Sequence, residues 1–238
     1  MKNKKVAVML ACALTVGCAI GGSLAWLTDQ TGNVTNTFTV GDINIDLKEH
    51  DYVPSDKTLN KEEIVSVNTD YVFVPGDTLP KDPFVTVKAD SEDCYLFVKV
   101  SGINNTHEDL SGRIINWTVL PRLVNTTKQD VEWKCYAEIT QYEAVNSTVV
   151  STEYWYRKVQ KSQEDQIWYI LQNDNITVNP LVTKDMVSDI NKENEKPQVV
   201  LTAAAVQANN LTDSTDENDR VAAAWGQLSE SFRKCEEN

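Results

Sequence analysis

Histidine is almost missing from this 238-residue chain, which carries only His50 and His107. Any mechanism that needs several imidazoles is excluded by that count. Glycine is sparse too, with nine residues, and no GxGxxG, GxxxxGKS or GxxxxGKT string occurs, so the usual phosphate-cradling loops are absent. Positive charge is in short supply: 22 Lys and Arg stand against 35 Asp and Glu, a formal charge of −13. Phosphate binding needs a basic surface, so nucleic acid is not the expected partner. The five cysteines include no CxxC pair, which leaves neither a redox dithiol nor a zinc knuckle in view. What remains is ordinary globular material, 41% hydrophobic and 24% charged. That composition can bury a core, and the length suits a single domain.

The first 25 residues have the layout of a secretory signal peptide. Lys2, Lys4 and Lys5 open the chain, Val6 to Ile20 form an apolar run, and Ser23 and Ala25 place small residues where a signal peptidase accepts them. The apolar run is short for a bilayer core of about 30 Å, which needs roughly 20 residues. Cleavage is therefore expected between Ala25 and Trp26. A lipid anchor on Cys18 is the competing arrangement, although Thr15 stands where that signal wants Leu. The mature chain of residues 26–238 keeps 19 Lys and Arg against 35 Asp and Glu, a formal charge of −16. It also keeps Cys94, Cys135 and Cys235, an odd set in which one internal pair at most can close.

Period-two patterning dominates the mature chain. Phe38 and Val40, then Ile43, Ile45 and Leu47, alternate with polar residues, and Gly41-Asp42 shifts the phase by one as a bulge or tight bend does. Residues 48–62 are charged, contain Pro54 and read as a loop. Strands are expected at Ile64 to Val74, ending in the turn Pro75-Gly76-Asp77, and at Pro83 to Lys88. Cys94 to Val100 is apolar on both parities except at Lys99, the signature of a central strand covered on both faces. Further strands are expected at Ile114 to Leu120, Val131 to Thr140, Ser147 to Tyr156, Gln166 to Leu171, Leu181 to Val187 and Pro197 to Gln207. Short strands at such intervals indicate an all-β, jelly-roll-like antiparallel sandwich. One helix is expected, at Asn218 to Phe232. There Val221, Trp225, Leu228 and Phe232 share a face, and Asp216 or Asn218 can cap the start.

Chemistry-bearing constellations are scarce. His107-Glu108 begins like an HExxH string, but no second His follows, so that metalloprotease design fails. Both histidines lie in polar stretches with turn residues and are expected at the surface. The acidic run Asp213 to Asp219 lacks the central Gly and closing Glu of an EF-hand and reads as a solvated loop. Trp117, Trp133, Trp155 and Trp168 fall in expected strands; filling the core and covering sheet faces is preferred over stacking on sugar rings. No catalytic residue, cofactor or metal site is assigned.

Several strings occur together in one order: Gly21-Gly22-Ser23-Leu24-Ala25-Trp26, then Asn36-Thr37-Phe38-Thr39-Val40-Gly41-Asp42-Ile43-Asn44-Ile45, then Pro75-Gly76-Asp77 and Lys81-Asp82-Pro83. Near the end come Leu201-Thr202-Ala203-Ala204-Ala205-Val206 and Ala222-Ala223-Ala224-Trp225. In this the chain resembles the TasA/camelysin family of Gram-positive bacteria, exported through the dedicated signal peptidase SipW. The resemblance implies a jelly-roll sandwich, secretion to the cell surface or extracellular matrix, and self-assembly into biofilm-matrix fibres, with accessory matrix proteins as further partners. It also implies that a mature N-terminal donor segment, Trp26 to about Val40 with Trp26, Leu27, Val34, Phe38 and Val40 as contacts, completes the sheet of the next subunit. Two other functions stand beside this one. A monomeric carbohydrate-binding or adhesive surface module is the first. A camelysin-like metallopeptidase is the second, which the missing HExxH disfavours.

Overall fold

A computed structural model describes residues 43–68, 71, 74–120, 133–142, 148–193 and 197–233. Eleven strands are arranged in three antiparallel sheets among these residues. The first sheet runs β2-β1-β4-β9, with β1 Ile45–Val53, β2 Thr58–Val65, β4 Phe84–Val87 and β9 Gln166–Tyr169. A small second sheet is β3-β10-β6, with β3 Thr78–Pro80, β10 Asn175–Val178 and β6 Ile115–Asn116. The third is β11-β5-β8-β7, with β11 Gln198–Gln207, β5 Cys94–Ile103, β8 Thr148–Val159 and β7 Lys134–Tyr142. The protein is an all-β sandwich.

Side-chain alternation explains the layering. Ile45 and Leu47 of β1 face inward with Val85 and Val87 of β4, and meet Leu96, Val98 and Val100 of β5 and Leu201, Ala203 and Ala205 of β11. The other parity of the third sheet is just as dry. Tyr95, Phe97, Tyr154, Tyr156, Ala204 and Val206 pack beneath Val221, Ala224, Leu228 and Phe232. Strand β5 is thus covered on both faces, as its unbroken apolar run predicts.

The covering layer is formed by helices near the C-terminus. Two helices occupy the stretch expected to be one: Glu217–Gln227 and Glu230–Arg233, separated at Leu228, whose backbone is extended. We number them α2 and α3, after α1 at Lys184–Glu193. Asp216 caps α2, its carboxylate accepting from the N–H groups of Asn218 and Asp219. The turn at Pro75-Gly76-Asp77 is also as expected: Gly76 has φ +85° and Asp77 N–H donates to the carbonyl of Val74, the backbone that a glycine at this turn position permits.

Four expectations need correction. Residues 48–62 are not a loop: β1 continues to Val53 and pairs with β2 as a hairpin, because its charged residues find partners elsewhere in the fold. Conversely, the strand expected over Ile64 to Val74 ends at Val65. Leu181 to Val187 is not a strand. Val182 and Met186, one helical turn apart, are both buried, Leu181 is exposed, and the Thr183 hydroxyl accepts from Met186 N–H at the start of α1. Finally, His50 is buried, as described below, whereas His107 is only partly covered, its Nδ1 accepting from Asp109 N–H within a turn.

The thiols behave differently from one another. Cys94 is a free, buried thiol, and Cys135 is exposed. Burial pushes the Cys94 thiol up to about 12, with Asp93 adding to the shift. The thiolate is the reactive species, so Cys94 is expected to stay silent toward a maleimide even at the ordinary thiol pKa of about 8.5. In a chain whose Cys135 and Cys235 are replaced by Ser, labelling should begin only when denaturant is added. Rapid labelling of the native form would show that the core admits reagent there.

Candidate functional site

A cluster of charged residues sits where the hairpin β1–β2 meets the connection from β3 to β4. The register of β1 against β2 slips between His50 and Asp51, a bulge that places Glu49 and His50, successive residues, both in buried positions. The opposing groups arrive from Lys81-Asp82-Pro83, which carries the chain between two sheets and is wholly buried. Lys81 N–H donates to the carbonyl of Asp174 at 2.8 Å and fixes that crossing.

Each buried charge has a partner. Lys81 Nζ lies 2.8 Å from Glu49 Oε2, and both side chains are excluded from water. His50 Nδ1 lies 2.6 Å from Asp82 Oδ2, while His50 N–H donates to Oδ1 of the same carboxylate at 3.1 Å. Lys61 from β2 completes the set with an ion pair to Asp82, and its ammonium is 4.0 Å from Asp174. Burial raises the Asp174 carboxyl above its usual range, against the pull of Lys61. Asn68 braces the whole: its N–H donates to Glu49 Oε1 at 2.7 Å, its amide donates to the carbonyl of His50, and its Oδ1 accepts from Tyr52 N–H.

The outer face of the first sheet lies against this cluster and carries a row of Ile64 on β2, His50 on β1, Phe84 on β4 and Tyr169 on β9. Ile64 on β2 stands opposite His50 on β1. The His50 ring meets Phe84 at 5.3 Å between centroids, and Phe84 meets Tyr169 of β9 at 5.5 Å. Phe84 is buried, yet Ile64 is 57%, Ile167 52% and Tyr169 38% exposed. Among the described residues β9 pairs only with β4; no strand lies along its other edge, where the Tyr169 carbonyl accepts from the Trp133 indole N–H at 2.8 Å. Exposed apolar side chains on such an edge strand make a surface suited to accepting another extended segment.

Among the described residues no group of three or more His, Cys, Asp and Glu side chains is placed to hold a metal ion. The aromatic residues also serve packing: Trp117 and Trp133 are buried, and Trp155 and Trp168 pack against the same core. Arg113 lies over the ring of Trp117 at 3.7 Å and Arg157 over Trp168 at 3.3 Å, so a guanidinium covers one face of each ring. The residues expected to carry processing and assembly, Ala25, Trp26, Leu27, Val34, Phe38 and Val40, lie outside the described residues, as does the Gly41-Asp42 bend. Sequence reasoning missed the Glu49, His50, Lys61 and Asp174 cluster. The one signal that could have found it is the juxtaposition of Lys81 and Asp82 directly before Pro83, a charged pair flanking a strand that is apolar on both parities.

The fold and site together define an all-β sandwich with a buried electrostatic clasp and an edge strand that exposes apolar side chains. Comparison with protein families, with characterised proteins and with solved structures yields no match.

Proposed function

We propose that this chain is a secreted, non-enzymatic structural subunit that polymerises into extracellular fibres, its N-terminal segment from Trp26 to Val40 pairing with the sheet of the next copy. The observation that carries the proposal is the edge of β9 away from β4, along which no strand lies among the described residues and on which Ile167 and Tyr169 are exposed. The Trp26 to Val40 segment suits such an edge, being rich in Thr and Asn, free of Pro, and alternating at Phe38 and Val40. Each backbone hydrogen bond gained adds about 0.5–1.5 kcal/mol, and burial of Phe38 and Val40 adds the apolar part. A dedicated signal peptidase and accessory matrix proteins are the further partners in this reading, with the cell surface or extracellular matrix as its location.

Deleting residues 26–35 tests it. The truncated protein is expected to give the β-rich circular dichroism of the mature chain while light scattering and electron microscopy show monomers. Phe38→Asp should weaken both folding and assembly, since a charge would enter an apolar site. Fibres of normal length from the truncated chain would defeat the proposal, and so would its failure to fold, which would make the segment part of its own subunit's core.

One observation favours the adhesive reading. A cleft of about 140 Å³ is lined by Asn116, Trp117, Thr118, Gln172, Asn173, Asn175 and Thr177, with no charged side chain among them. Neutral amides and hydroxyls suit polyols. Calorimetric titration with neutral oligosaccharides separates the readings: saturable binding that Asn116→Ala abolishes belongs to the adhesive module, and a flat titration leaves the fibre subunit alone.

A further inference from the structure

Glu49 and Lys81 form a pair whose chemistry goes beyond electrostatics. They are 32 residues apart, both 0% exposed, and the amine nitrogen is 2.8 Å from one carboxyl oxygen. The second carboxyl oxygen, Oε1, accepts the backbone N–H of Asn68 at 2.7 Å. The Tyr71 ring lies 5.7 Å from the amine. We propose that in the folded protein these side chains condense to an isopeptide bond between Lys81 Nζ and Glu49 Cδ, a covalent tie between β1 and the β3–β4 connection.

Four features point the same way. Burial without water makes separated charges costly, which favours transfer of a proton from the ammonium to the carboxylate and leaves a neutral amine beside a neutral acid, the forms that react. The amine and the carboxyl group are already held in contact, 2.8 Å from nitrogen to oxygen, so the entropy of bringing the groups together is met by folding. Asn68 N–H is aimed at the oxygen on which negative charge develops during attack. That N–H is fixed in turn, since the Asn68 side chain is tied to His50 and Tyr52 at both ends of its amide. Exclusion of solvent then starves the reverse hydrolysis.

The step balances without any other reactant. Lys81 Nζ passes one proton to Glu49 Oε2 and attacks Cδ, giving a tetrahedral centre with the charge on Oε1 beside Asn68 N–H. A second proton moves from Nζ to Oε2, the Cδ–Oε2 bond breaks, and that oxygen departs as water. An ammonium and a carboxylate become one amide and one water, with no oxidation or reduction. Glu49 and Lys81 are set by the sandwich itself, so the inference does not depend on the fibre reading.

Mass spectrometry of the full mature protein decides it. After complete proteolysis in denaturant, the expected product is a branched peptide that joins the Glu49 and Lys81 segments and is lighter than their sum by one water. Fragmentation should place the link at those two side chains, and Lys81 should fail to take up an amine-reactive label in denaturant. Glu49→Ala and Lys81→Met should each lose the branched peptide. The wild-type digest is decisive whether or not those variants fold: if Glu49 and Lys81 are recovered only in linear peptides, with Lys81 labelled, the bond does not form and the pair is an ion pair alone.

Discussion

Asp82→Ala is expected to destabilise the protein by about 3–5 kcal/mol, the range for breaking a buried charge pair from one side. Asp82 is fully buried and accepts from the His50 backbone, the His50 ring and Lys61. Its loss strands the N–H of a bulged residue and leaves the buried His50 ring without its partner, while the exposed Lys61 ammonium can turn to water. Total stabilities of domains lie near 5–15 kcal/mol, so the change is a large share of the whole. In a chain of this size it corresponds to a fall in Tm on the order of 10 °C. Asp82→Asn keeps the shape and two of the acceptor contacts and should recover part of the loss. Thermal melts followed by circular dichroism measure both; an Asp82→Ala melt superimposable on the wild type would mean that the cluster holds nothing together. The pairing is also directional. His50→Ala removes a ring and one donor but leaves Asp82 with Lys61, so its cost should be smaller.

Phe97→Ala is expected to cost about 3–5 kcal/mol for a different reason, the loss of a fully buried aromatic ring and the cavity left behind. Phe97 has no exposed surface, and its ring lies 5.8 Å from Trp225, 6.1 Å from Tyr156 and 6.2 Å from Tyr136. It is the floor on which α2 rests, so the damage should concentrate in the helical layer. Trp225 stacks on Tyr136 at 4.4 Å and should lose its near-ultraviolet circular dichroism first. Limited proteolysis between Ala208 and Asp216 should accelerate while the far-ultraviolet sheet signal persists. Equal loss of both signals in one transition would show that the helices and the sandwich unfold as a unit.

The contrast between these two sites marks where the sequence was legible. Around Phe97 the pattern is local: Cys94 to Val100 is apolar on both parities, and Val221, Trp225, Leu228 and Phe232 share one helical face. A two-faced strand needs a cover on each side, and the chain has an amphipathic helix to supply one. Around Asp82 nothing local distinguishes the residues that matter. Glu49 and His50 lie in a charged stretch that resembles a surface loop, and their burial depends on partners at Lys81, Asp82 and Asn68. Charge alone predicts exposure; charge with a partner 32 residues away predicts the opposite. The same holds for Leu181 to Val187, where alternation and a helical spacing coexist and only the packing of Val182 and Met186 chooses between them.

By itself, then, the sequence determined the all-β class, the double-sided central strand and the turn at Gly76, because each follows from side-chain period or from a backbone conformation that few residues permit, and it narrowed the helix cap to Asp216 or Asn218. Only the tertiary structure decided that the hairpin β1–β2 exists, that Glu49 and His50 are buried together at a bulge, and that the first sheet presents Ile167 and Tyr169 on an edge strand with no described strand along its outer side. These are matters of partner and register. They are set by contacts between segments far apart in the chain, and no local pattern of hydrophobicity or charge encodes which distant segment will arrive.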